Sequence, residues 1–310
     1  MDFTNPDING HLRLGLCCIN TLLRKRDIFC SRTCIRRTFT VERAQEKALH
    51  NIRDMIKMIE WNKKNGISCF RISSDIFPHY TDPKTEHYSL EFAKQLLKKA
   101  GDIAKAYGQR ILMHPGQYNQ IGAIDPDIFE STVKDLQHHA DILDAMEMDD
   151  DSVVIIHGGG TYGSKSKTVD RWIKQFESLP VSIKNRLALE NCERSYSVED
   201  CLYMANKCRI PVVFDFHHYH CWKKVQKPIS EIFPLILDTW KQRNRRVVMH
   251  ISDQDPEKKI GAHHDYVESI PNIIFETIIN TGLDIDLEIE AKMKEQAIFK
   301  LYKKYNFSTL

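Results

Sequence analysis

The sequence runs to 310 residues, 42% hydrophobic and 28% charged, with a formal net charge of only +2 at pH 7; this is the composition of a globular protein, without the bulk charge that marks a nucleic-acid binder. The nine cysteines are odd in number and show no paired CxxC spacing, which argues against a disulfide framework or a zinc ribbon. The N-terminus lacks an apolar signal core and no stretch is long enough to span a bilayer, so the sequence reads as a soluble intracellular protein.

Short runs rich in Val, Ile, Leu and Phe alternate with longer segments of helical period, the pattern of a parallel sheet with crossover helices. The first apolar run, Leu12–Ile19, follows a polar extension over residues 1–10 that is expected to be flexible or peripheral. A basic stretch comes next: Arg24, Lys25, Arg26, Arg32, Arg36 and Arg37, opposed only by Asp27, form either a phosphate-facing patch or a solvated rim. Val41–Asn65 then places Ala44, Ala48, Ile52, Met55, Ile56 and Ile59 on one helical face, with Thr40 as N-cap and Gly66 past the end. The second run, Ile67–Ser73, leads to a helix over Leu90–Tyr107; the third, Arg110–His114, to Pro126–Met146; the fourth, Ser152–His157, to Val169–Phe176. Runs five to eight are Arg186–Asn191, Val212–His217, Val247–Ser252 and Asp284–Glu290, followed by helices predicted over Val198–Lys207, Ile229–Trp240, Val267–Ile279 and Met293–Tyr305. Eight strands each followed by a helix, with no internal repeat or linker, predict one α/β domain over residues 1–310, a (β/α)8 TIM barrel; an open doubly wound sheet is the alternative.

Six of these runs end in a residue able to bind a metal: His114, His157, Glu190, Asp215, His250 and Glu290. Taken singly, a polar residue at a strand end is usually a hydrogen-bonded structural one. In a parallel barrel, however, all strand C-termini open onto the face that holds the active site. Three carboxylates and three imidazoles in one cavity need neutralising, and divalent ions do this directly. Nitrogen and oxygen donors without a thiolate suit Zn, Mn or Fe over Ca, and several carboxylates favour more than one ion. His217, His218 and His220 after Asp215, and His263, His264 and Asp265 after strand seven, lie on the same side; alternation along a strand implies that not all of the first group face the cavity. Gly158, Gly159, Gly160 and Gly163 form a glycine-rich turn that either brings backbone N–H groups to a phosphate or simply joins strand to helix. His114-Pro-Gly-Gln117-Tyr118 sets an amide and a ring on the rim, where they can replace a base in its stack.

Together these motifs resemble the UV-damage endonuclease family of apurinic endonuclease and xylose isomerase-like metal barrels. The likeness runs through Leu12-Arg-Leu-Gly15 with Asn20, Arg71-Ile-Ser-Ser74 with Phe77-Pro78, His114-Pro-Gly-Gln-Tyr118 and His157-Gly-Gly-Gly with Tyr162-Gly163 and Lys165. It continues through Leu189-Glu-Asn191, Asp215-Phe-His-His218, His250-Ile-Ser252, His263-His-Asp-Tyr266 and Glu290-Ala-Lys292. The resemblance implies incision of damaged double-stranded DNA 5′ to UV photoproducts and some abasic sites, by a soluble monomer needing no membrane and no obligate protein partner. It implies two or three divalent ions, manganese first and zinc, magnesium or cobalt after it. The implied ligands are His114, His157, Glu190, Asp215, His218, His250, His263 and Glu290, with Glu190 bridging. His114, His157, Glu190, Asp215 and Glu290 carry the catalysis, while Gln117, Tyr118, Asn20 and Lys165 contact DNA or the lesion. Three positions depart from the family pattern. Asp82 stands where a loop His is usual, so either Asp82 or His79 is the replacement ligand; Val248 excludes a modified lysine; and Leu16 replaces an aromatic residue that would stack on the lesion. The competing readings are a general apurinic endonuclease with nearly the same metal shell, a metal-dependent sugar isomerase, against which Gln117-Tyr118 and the basic stretch argue, and a non-catalytic metal-stabilised DNA-binding module.

Overall fold

The computed structural model describes residues 8, 10–222, 224 and 226–307. Its elements in chain order are β1 (Leu12–Cys17), α1 (Thr21–Arg24), α2 (Val41–Lys64), β2 (Cys69–Arg71), α3 (Lys94–Ala106), β3 (Arg110–Leu112), α4 (Pro126–Ala145), β4 (Val154–His157), α5 (Lys165–Glu177), α6 (Val181–Arg186) and β5 (Leu187–Glu190). They continue with α7 (Val198–Cys208), β6 (Val212–Asp215), α8 (Phe216–Cys221), α9 (Ile229–Lys241), β7 (Val247–Ile251), α10 (Asn272–Thr281), β8 (Ile285–Ile289) and α11 (Glu295–Lys304). Every strand pairing is parallel and β8 returns to β1. The ends of the ordered sheet, β3 and β4, meet through a single bridge between Met113 and Val154, with Met113 donating to Val153 and Ile155 donating to Met113. The cylinder closes there, and the doubly wound alternative is set aside.

The strands read as unbroken apolar runs because helices cover them outside and side chains fill them inside. Val154–Ile156, Leu187–Leu189, Val212–Phe214 and Val247–Met249 are all buried. Local signals fix the helix ends. Thr40 accepts from the Arg43 amide at α2, Asp125 accepts from Asp127 ahead of Pro126 at α4, and Ser197 and Asp200 cap each other's backbone at α7. On β8 the alternate residues Asp286 and Glu288 point into the barrel, and Glu290 follows them at its mouth. Asp286 forms the floor, bound by Arg13 at 2.6 Å, Arg246 at 2.8 Å and Arg110 at 3.1 Å.

Two expectations are corrected. Within the N-terminal extension, Ile8 is fully buried in the core and its carbonyl accepts from the His11 and Leu12 amides, so it is not peripheral; residues 1–7 and 9 lie outside the described residues. Strand six does not continue to His217. Asp215 accepts a 2.7 Å bond from the His218 amide and becomes the N-cap of α8, so the chain turns helical at that carboxylate and strand alternation no longer sorts the histidines.

Candidate metal centre

Strand register assembles the centre. His157 on β4 is level with Glu190 on β5, and Asp215 on β6 with His250 on β7. Glu190 is the hub. One carboxylate oxygen lies 2.7 Å from His114 Nε2 and 3.6 Å from His157 Nε2; the other lies 3.1 Å from His250 Nδ1 and 3.3 Å from His218 Nδ1. Glu290 extends the cluster, 3.7 Å from both His250 Nδ1 and His263 Nε2. Asn191 secures the Asp215 backbone by giving its side-chain N–H to the carbonyl and accepting the amide, and its own carbonyl lies 2.9 Å from His218 Nδ1.

Burial would raise the Glu190 carboxyl, but His157 and His250, with hydrogen bonds from His114 and His218, outweigh it and hold the group well below the usual carboxylate range. Burial likewise opposes protonation of His218, yet Asp215 and Glu190 push it up to about 11, and the acids around His250 carry it well above its ordinary value. The acids thus demand cationic compensation, which divalent ions would supply. Donors from His114, His157 and Glu190 all lie within 4.8 Å of one another, as do donors from Glu190, Asp215 and His250. Bonds of about 2.0–2.2 Å set donors up to about 4 Å apart, so each triad is a small side-chain rotation from a coordination shell, with Glu190 common to both. Asp215 Oδ2 and His157 Nδ1 are buried without a hydrogen-bond partner, as free donor atoms of a ligand set would be.

Two polar neighbours of this set have no assigned role in the sequence reading. Glu288 lies fully buried beneath it, 2.7 Å from His250 Nε2, and the Arg71 guanidinium reaches Glu290 at 2.5 Å and Glu288 at 3.5 Å. The period-two pattern Asp286, Glu288, Glu290 was the signal for the first. Gly15 gives the Glu288 side chain its room: a Cβ there would stand 3.2 Å from Glu288 Cγ.

The rim matches the expectations unevenly. Gln117 and Tyr118 are exposed on a finger after β3, braced behind by Asn119, which donates to Gly116 O and to Asp135, and by Gln120, which donates to Gln117 O. A Cβ at Gly116 would come within 2.4 Å of the Tyr118 ring. Gln117 and His157 line one cavity of 240 Å³, so finger and cluster share a space. His217, on α8, packs edge-on against His263. The replacement ligand expected among His79 and Asp82 is not found in the cluster. His79 Nε2 meets Cys34 O at 2.6 Å and its Nδ1 faces Asp82, which pairs with Arg36, and both line a separate cavity of 920 Å³ beside Tyr118. Asn20 is buried as the cap of α1, accepting from the Leu23 amide. Lys165 pairs with Asp200 at 2.5 Å, so its charge is already neutralised. In the glycine turn, the Gly160 amide is bonded to Gln120 Oε1 and Gly158 lies under the Tyr196 ring.

Comparison with known proteins agrees with this geometry. Residues 12–309 match the family model described as UV-endonuclease UvdE. A protein of Acanthamoeba polyphaga mimivirus assigned as a UV-damage endonuclease is 38% identical over 303 residues, covering 95% of this chain and 91% of its own length. The UV-damage endonuclease of Schizosaccharomyces pombe is also 38% identical, over 94% of this chain; the chain spans 50% of that longer protein. The crystal structure of SacUVDE superimposes with a TM-score of 0.84 at 29% identity, over 96% of this chain and 99% of that one.

Proposed function

Because this chain belongs to the UV-damage endonuclease family, we propose that its barrel mouth nicks duplex DNA on the 5′ side of UV photoproducts, using divalent ions held around Glu190. The observation that carries this reading is one buried carboxylate flanked by four imidazoles, from β4, α8, β7 and the loop after β3, on the open face of the barrel. His114, His157 and Glu190 would hold one ion and Glu190, Asp215 and His250 a second, with Glu290, His263 and His218 available to a third. Bound there, divalent ions supply Lewis acidity toward the phosphodiester and a nucleophilic water at neutral pH. The all nitrogen–oxygen donor set favours manganese or zinc. The chain's own contribution is placement: Asn191 fixes Asp215 and His218, and the Gln117–Tyr118 finger fills the stack that the lesion leaves. Unstacking is least costly where damage has already weakened it, which favours photoproducts over intact steps.

The test is scission of end-labelled duplexes carrying a cyclobutane dimer, an abasic site or neither. The dimer duplex should be cut by the wild type, lose cutting in EDTA and regain it with Mn²⁺. Glu190→Gln should lower the rate about 10³-fold, because several kcal/mol of transition-state stabilisation go with the shared carboxylate. Undiminished cutting in EDTA sinks the mechanism; cutting confined to the abasic duplex makes the protein an apurinic endonuclease instead.

A further inference from the structure

The net charge of +2 conceals two cationic surfaces at the mouth. The first is the long loop between β1 and α2. It is fixed, because the buried Asn51 side chain exchanges hydrogen bonds with the Arg32 backbone and buried Asp54 accepts from the Phe29 amide and pairs with Arg32 at 2.7 Å. Arg32 is consumed in this scaffold, stacked on the Phe29 ring, and Arg36 is paired with Asp82. Arg24, Lys25, Arg26 and Arg37 remain exposed, with no carboxylate within 4.0 Å among the described residues.

The second surface is a groove of 490 Å³ to which three loops bring cations: Lys224 after α8, Lys259 after β7, and Arg194 after β5, whose guanidinium lies 3.3 Å from the neighbouring Glu193 carboxylate, the one acid in the lining. Trp222 and Ile260 line it beside them, giving an apolar face next to positive charge, the combination that suits a sugar and its phosphate. Arg194 also lines the cavity shared by His157 and Gln117, so the groove is continuous with the centre. Round the closed sheet β5 stands four strands from β1, and the groove, centred on β6, lies across the mouth from the β1 loop.

We propose that these two surfaces bind the sugar–phosphate backbone on either side of the scissile bond, so that the duplex lies across the mouth from the β1 loop to the groove bounded by Arg194, Lys224 and Lys259. This rests on the nuclease reading above. A duplex so placed meets cations at both ends and the Gln117–Tyr118 finger between them, and the grip is independent of sequence and of damage.

The experiment measures binding of an undamaged and a dimer-containing duplex by fluorescence anisotropy over 50–200 mM salt, together with nicking kinetics. It compares the full chain with K25A/R26A/R37A and with R194A/K224A/K259A. Each triple should weaken both duplexes about tenfold or more at the low-salt end and flatten the slope of log K against log salt by about 0.9 for each phosphate no longer neutralised. The damage in nicking should appear in KM and not in kcat. Wild-type affinity and salt slope in both triples overturn the proposal; weakening in only one overturns the crossing of the mouth. A wild type that nicks while both triples behave normally refutes the grip alone, whereas a wild type that binds with a steep salt slope and never nicks refutes the nuclease reading.

Discussion

Arg71 shows how much of a site depends on residues buried behind it. Its side chain is buried between Glu288 and Glu290, whose charges it compensates from within the protein. Replacing it by Met removes that compensation and leaves two carboxylates in a low-dielectric interior, at a cost of about 3–5 kcal/mol. Arg71→Met should therefore shift the denaturant midpoint of EDTA-treated protein strongly downward, and added Mn²⁺ should recover part of the loss; an unchanged midpoint in EDTA would show that the two carboxyls are protonated instead. His114, His157, Glu190, Asp215, His250 and Glu290 were legible in the sequence because each ends an apolar run, and a strand end in a parallel barrel has a known address. Arg71 and Glu288 were less so. They lie one step deeper: the facing of Glu288 follows only from the alternation Asp286, Glu288, Glu290 along β8, and a three-residue β2 displays no phase for Arg71. His79 and Asp82 were open for the opposite reason: donor chemistry in a long loop says nothing of direction, and here they face Cys34 and Arg36.

Among the elements, the finger after β3 joins order to exposure. Asn119, itself buried, ties it to Asp135 on α4, while Tyr118 stands 66% exposed at its tip. A backbone held in place behind an exposed ring has lost its conformational freedom before any partner arrives, so insertion of the ring costs less at the moment of binding. Tyr118→Ala should consequently narrow the ratio of nicking rates between dimer-containing and intact duplex, by about tenfold for a stacking contribution of 1–3 kcal/mol, with metal content by elemental analysis unchanged. An undiminished ratio would remove the finger from lesion recognition. The elements themselves were largely readable: all eight strands and eight of the principal helices follow from periodicity and caps. Those missed, α1, α6 and α8, have four to six residues, too short to show a helical period; α8 exists because Asp215 captures the His218 amide, a tertiary use of a residue that the sequence offers equally as strand.

At the scale of the whole molecule, Asp286 ties together segments from both ends of the chain, since Arg13, Arg110 and Arg246 all converge on it. Burial would raise this carboxyl, but the hydrogen bond and charge of Arg13, with Arg246 and Arg110, bring it down to about 2. A folded value below the unfolded one of 3.8 gives stability that is complete above about pH 4 and disappears as pH falls through 2. The contribution is about 2 kcal/mol. Denaturant unfolding of metal-free protein between pH 5 and 2 should show this slope in the wild type, and it should be missing from Asp286→Asn; equal slopes would mean that other carboxyls govern the acid limit.

The cylinder's backbone ladder is thinnest between β3 and β4, where one bridge replaces a run of pairs. His114 and His157 stand at the outer lips of those two strands, on either side of that line. On the proposed ligation, an ion gripped by both would act as a rivet across the weakest seam, so that stripping the metal would not only silence the chemistry but let amide hydrogens along this single join exchange ahead of those elsewhere in the wall.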